Sequence, residues 1–179
     1  VVRLVGSEMC IRDRSNYTAG KEIFLGLDVA STEFFKNNKY FLNGENLILN
    51  SSELIKYYDN LISNYPIISI EDGLAEDDWN GWNELTKMFS KKCQLVGDDF
   101  FVTNIDRLTK GISENCGNSI LIKLNQIGTL TETMDTINEA KKNNFNTIIS
   151  HRSGETEDTF ISDLAVGSLA GQIKTGSLS

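Results

Sequence analysis

A chain of 179 residues with a hydrophobic fraction of 40% is long enough to bury one sizeable core. A formal net charge of −8, a pI near 4.7 and the lack of any basic run disfavour nucleic acid and anionic membranes, which would repel the chain at long range. Cys10, Cys93 and Cys116 are odd in number, widely spaced and never in Cys-x-x-Cys, so neither a disulfide framework nor a zinc site is indicated.

No stretch approaches the roughly 20 apolar residues that span a bilayer, and Val1 to Gly6 is too short for a signal-peptide core. The expected compartment is a reducing cytoplasm. Residues 1–14 show neither the helical nor the strand period and are left unplaced, as a junction foreign to the domain would be. Residues 15–179 form the domain.

Ile23 to Val29 reads as an apolar strand closing on Asp28, and Lys39 to Leu49 as a small inserted hairpin turning at Asn43-Gly44. Asn50 and Glu53 form a capping-box variant ahead of a helix with Leu54, Ile55, Tyr58, Leu61 and Ile62 on one face, which Pro66 ends. Ile67 to Asp72 is the next strand, closing on Glu71, and a helix bearing Trp79, Trp82, Leu85 and Phe89 follows. After the strand at Gln94 to Asp99, Thr103 and Asp106 are expected to cap a helix carrying Ile105, Leu108 and Ile112.

Ile120 to Leu124 is a strand interrupted by Lys123; Thr129 and Glu132 cap the helix after it. Asn146 to His151, a helix with Phe160, Ile161, Leu164 and Ala165, and Gln172 to Gly176 complete the pattern. Six strands alternating with helices imply parallel strands and an α/β fold.

The strand ends carry, in order, Asp28, Glu71, Asp98 or its neighbour Asp99, Lys123, His151 with Arg152 and Ser153, and Lys174. Each alone is more often a helix cap or a surface ion pair. Six charged strand ends in succession are not, and in a parallel barrel all of them meet on one face. Lysines within apolar strands need a reason, because burying an unpaired ammonium costs several kcal/mol, roughly. Three carboxylates with a single histidine suit a hard cation such as Mg²⁺. Carboxylates, metal and lysines together suit removal of a proton beside a substrate carboxylate, with a neutral lysine, Lys123, as base.

The runs Ser69 to Asp72, Gln94 to Asp99, Ile120 to Thr133, Ser150 to Asp158 and Gln172 to Gly176 resemble enolase. The resemblance implies a partial (β/α)8 barrel of the TIM type with about six of its eight strands, and a hydro-lyase, phosphopyruvate hydratase. That activity is the reversible, Mg²⁺-dependent dehydration of 2-phosphoglycerate to phosphoenolpyruvate in glycolysis. It further implies Asp28, Glu71 and Asp98, rather than Asp99, as metal ligands, with Lys123 as proton acceptor. Arg152, Ser153 and Lys174 would bind phosphate and carboxylate, Ser153 would also link to a second, substrate-borne magnesium, and His151 would lie close to the substrate.

A homodimer is implied for the whole protein. The general acid is expected outside these residues, as are an N-terminal α+β domain and two further barrel strands, so the chain alone is expected to have little activity. Two alternatives carry different expectations: another member of the superfamily, such as an acid-sugar dehydratase, and a surface-displayed binding protein without catalysis.

Overall fold

The computed structural model describes residues 16–152 and 157–176. Six strands, β1 (Leu25–Asp28), β5 (Ile67–Glu71), β6 (Gln94–Gly97), β7 (Ser119–Ile122), β8 (Asn146–Ser150) and β9 (Gly171–Lys174), form one parallel sheet in that order. The sheet is a curled half-barrel, which makes the domain part of a TIM-type α/β barrel. Neighbours in sequence are neighbours in the sheet, and because all six strands run one way their carboxyl ends share one rim.

Both faces of the central strands are apolar, as a sheet covered on two sides requires. On β7, Ile120 and Ile122 join the main core while Leu121 faces the other way and meets Val96 and Ile148 on the inner surface. The outer face is covered by α1 (Ser51–Asn64), α2 (Trp79–Phe89), α3 (Ile105–Ser113), α5 (Leu130–Lys142) and α6 (Phe160–Gly167). A one-turn helix, α4 (Leu124–Ile127), lies between β7 and α5.

Local chemistry accounts for most boundaries. Asn50 accepts a hydrogen bond from the Glu53 amide and Glu53 returns one from the Asn50 amide, a full capping box. Asp78 caps α2 through the Gly81 amide, so neither Glu71 nor Asp72 is used for that purpose. Helix α3 departs from the sequence expectation: its cap is Asn104, which accepts from the amides of Asp106 and Arg107, while Thr103 is fully buried beneath β7.

The predicted hairpin is present as β3 (Lys39–Leu42) and β4 (Leu47–Leu49), with a third strand, β2 (Phe35–Lys36), beside it. It closes through four residues, Asn43 to Asn46, where Asn46 takes a positive φ of 55°. It is also more than an appendage. Tyr40 is fully buried, donates to Asp78 Oδ2 and accepts from the Ala75 amide, which fixes the loop between β5 and α2.

That loop leads into an aromatic cluster. The ring of Phe100 stacks on Trp82 at 4.2 Å between centroids and also meets Trp79 and Phe101. The cluster lies under the turn that follows β6, so packing in the outer layer holds a turn of the rim.

Candidate functional site

The rim gathers the strand-end residues named from sequence. Asp28 and Glu71 are the last residues of β1 and β5 and are paired in register, Asp98 follows β6, and Lys174 ends β9. Lys123 lies one residue beyond β7, where it opens α4, and not within the strand as expected. His151 and Arg152 follow β8, and Ser153 lies outside the described residues. A cavity of about 250 Å³ is lined by Asp28, Asp98, Lys123, His151, Arg152 and Lys174 together with Ser150. A larger surface groove of about 560 Å³ beside α3 and α5 touches none of them.

Two ion-pair clusters organise the cavity. Lys174 Nζ donates to Asp28 Oδ2 at 2.8 Å and to Glu71 Oε1 at 2.7 Å, so one ammonium bridges the two carboxylates. Lys123 Nζ donates to Asp98 Oδ2. Burial raises the carboxyl of Glu71 above its ordinary range, with Lys174 opposing and Asp28 adding to the effect. Asp98 is likewise raised by burial, against the pull of Lys123. For Lys174 burial acts downward, but the hydrogen bonds to Asp28 and Glu71 outweigh it and its ammonium is held above the usual lysine range.

The five residues carry one more carboxylate than ammonium. Asp98 Oδ1 is buried and has no hydrogen-bond partner among the described residues. A buried carboxylate oxygen left so is costly unless a cation answers it. The chemistry of three carboxylates, one of them with an unsatisfied oxygen, suits a hard divalent cation.

Around this set are residues that sequence reasoning assigned elsewhere or missed. Thr103, expected as a helix cap, accepts the Lys123 amide at 2.9 Å and donates to Gln126 Oε1 at 3.1 Å, so it fixes the backbone that carries Lys123. Both Thr103 and Val102 hold positive φ, 54° and 47°, which β-branched residues seldom adopt. Asn125 accepts from Arg152 Nη1 at 3.3 Å. The ring of His151 packs on Gly176, where an added Cβ would lie 3.1 Å from Cε1, and its Nδ1 is 3.0 Å from the Arg152 carbonyl oxygen.

Among the described residues, the three acids whose carboxylate oxygens lie within 4.8 Å of one another are Asp72, Asp98 and Asp99. Asp72 has both oxygens occupied by backbone amides, Asp98 N–H at 2.9 Å and Asp99 N–H at 2.8 Å. Burial pushes its carboxyl up to about 7 against the pull of those two amides.

A half-barrel whose rim concentrates acids from the first three strands of the sheet and lysines from later ones defines part of an α/β barrel of the TIM class with a charged carboxyl-end rim. The family model for the enolase C-terminal TIM barrel domain matches residues 9–179, and the chain belongs to that family. The enolase of Natranaerobius thermophilus is 58% identical to it over 164 residues, which cover 92% of this chain and 38% of that relative. The chain thus spans less than half the length of the curated relative it matches. Among the described residues, no helix is long and apolar enough to cross a membrane.

Proposed function

We propose that this chain contributes the metal-binding and proton-abstracting part of a magnesium-dependent enolase, which interconverts 2-phosphoglycerate and phosphoenolpyruvate. The observation that carries the reading is the convergence of Asp28, Glu71, Asp98, Lys123 and Lys174 on one rim from five strands, with Asp98 Oδ1 buried and unanswered. Removing a proton next to a carboxylate concentrates negative charge, and charge neutralisation is what Mg²⁺ held by the three acids would supply.

Lys123 is the base of this reading. Its side chain is 16% exposed, lines the cavity and rests on Asp98, which aims its Nζ inward. Lys174 and Arg152 supply positive charge for the substrate's carboxylate and phosphate, Ser153 supplies polar hydrogen-bonding groups, and His151 closes the same wall. Together with its relatives' name, the reading makes the whole protein a cytoplasmic glycolytic lyase, and a homodimer.

Calorimetric titration with Mg²⁺ should give a heat of binding that Asp98→Asn abolishes; an unchanged isotherm would remove Asp98 from the site. In the full-length enzyme, Lys123→Ala should abolish exchange of the substrate C2 proton while leaving Mg²⁺ affinity near that of the parent. Retained exchange would refute the base. Lys174→Ala should weaken substrate binding as well as rate.

A further inference from the structure

Asp72 is one of the most heavily tied residues at the rim, and the reading above gives it no task. It is 4% exposed and holds φ at 43°, a left-handed conformation that aspartate tolerates better than most residues. Its backbone N–H donates to the Val96 carbonyl of β6 at 2.9 Å, and its own carbonyl accepts from the Ser31 amide, beyond β1, at 3.1 Å. Its two carboxylate oxygens take the consecutive amides of Asp98 and Asp99. Four polar groups of one residue therefore join the ends of β1, β5 and β6, the strands that bring Asp28, Glu71 and Asp98 together.

We infer that Asp72 is a positioning residue that sets the Asp98 carboxylate for the divalent cation, and that it is not itself a ligand. The inference rests on the reading of Asp98 as a ligand. Both of its oxygens already accept backbone hydrogen bonds, whereas Asp98 keeps Oδ1 without a partner. In Asp72 each of the two consecutive N–H donors has a carboxylate oxygen of its own. Asparagine offers one oxygen and turns an NH₂ against the other amide; glutamate is one methylene too long to reach from the same backbone. With one amide released, the turn after β6 is free to rotate, and Asp98 leaves the direction set by Glu71 and Asp28.

The test compares Mg²⁺ affinity, by calorimetry on the whole chain, for Asp72→Asn, Asp98→Asn and Asp99→Asn, with folding checked by circular dichroism. Loss of a residue that orients a metal ligand typically lowers affinity about 10–100-fold. That loss is expected for Asp72→Asn in a folded protein, abolition for Asp98→Asn, and no change for Asp99→Asn. Equal losses in all three would make the aspartate trio the cation site and overturn the inference. Unchanged affinity in Asp72→Asn beside abolition in Asp98→Asn would also overturn it, while full affinity in Asp98→Asn would instead refute the reading beneath it.

Amide exchange in the unsubstituted chain gives a check that does not depend on a folded variant. The Asp98 and Asp99 amide protons should exchange slowly with or without Mg²⁺, and rapid exchange of either in the absence of Mg²⁺ would remove the clamp.

Discussion

Gly97 ends β6 immediately before Asp98, and replacing it with alanine puts a methyl group where Phe101 already lies. The added Cβ would stand 2.8 Å from Phe101 Cε2 and 3.1 Å from Cγ, and a Cβ at Gly111 on α3 would approach the same ring to 2.9 Å of Cζ. Phe101 is fully buried between these two glycines, so its ring has no open side to move into. Overpacking of this kind costs about 1–3 kcal/mol. For a chain of this size each kcal/mol lowers Tm by about 2–4 °C, so Gly97→Ala should melt roughly 2–12 °C below the parent.

The measurement is thermal unfolding by circular dichroism for Gly97→Ala, Phe101→Leu and the double variant. Because the smaller leucine accepts the methyl, the double variant should be less destabilised than the sum of the singles by about 1 kcal/mol or more. Since the Phe101 amide donates to the Asp98 carbonyl at 3.2 Å, Mg²⁺ affinity should fall in Gly97→Ala as well. An unchanged Tm, or strict additivity in the cycle, would refute the packing account of Gly97.

Asn50→Ala removes the acceptor of the capping box on α1 and should cost about 1 kcal/mol in urea denaturation; no loss would mean that tertiary packing alone fixes that helix end. Tyr58→Phe leaves the buried Gly73 carbonyl without the 2.7 Å hydrogen bond it accepts, for a loss of about 1–3 kcal/mol by the same measurement, and equal stability would show that water replaces the hydroxyl. Burial pushes the thiols of Cys93 and Cys116 from 9.0 up to about 11, so the fold keeps them protonated where an unfolded chain ionises them. Stability from these groups is therefore complete below pH 9 and falls as pH rises from 9 towards 11; a urea midpoint that does not move between pH 8 and pH 10.5 would contradict it.

The alternation of strand and helix was open to reading because β5, β6, β7 and β8 bury alternate residues on both faces and leave long apolar runs, while Asn50 and Thr129 announce helix starts with a single side chain each. Charged residues at strand ends could be grouped because parallel pairing sends them all to one rim. What stayed hidden depends on left-handed backbone. Thr103 has the side chain of a helix cap and would act as one with ordinary dihedrals; at φ 54° its hydroxyl turns under β7 to hold Lys123, and Asn104 takes over the cap.

The bonding of Asp72 to the turn after β6 was hidden for the same reason, since a φ of 43° after a strand has no local signature beyond an aspartate followed by glycine. The third strand of the small sheet, two residues long, has too few side chains to show a period.

The bridge from Lys174 to Asp28 joins residues 146 positions apart, the longest sequence separation among the site's contacts. As the chain leaves the ribosome, β1 and β5 are complete some hundred residues before Lys174 arrives. Until then Asp28 and Glu71 sit side by side with like charge, and pairing of the two strands is opposed at the rim. Closing so long a loop is entropically costly, and its closure brings the ammonium that relieves the repulsion. A cation that binds the finished rim stabilises the folded state by mass action and should slow its unfolding.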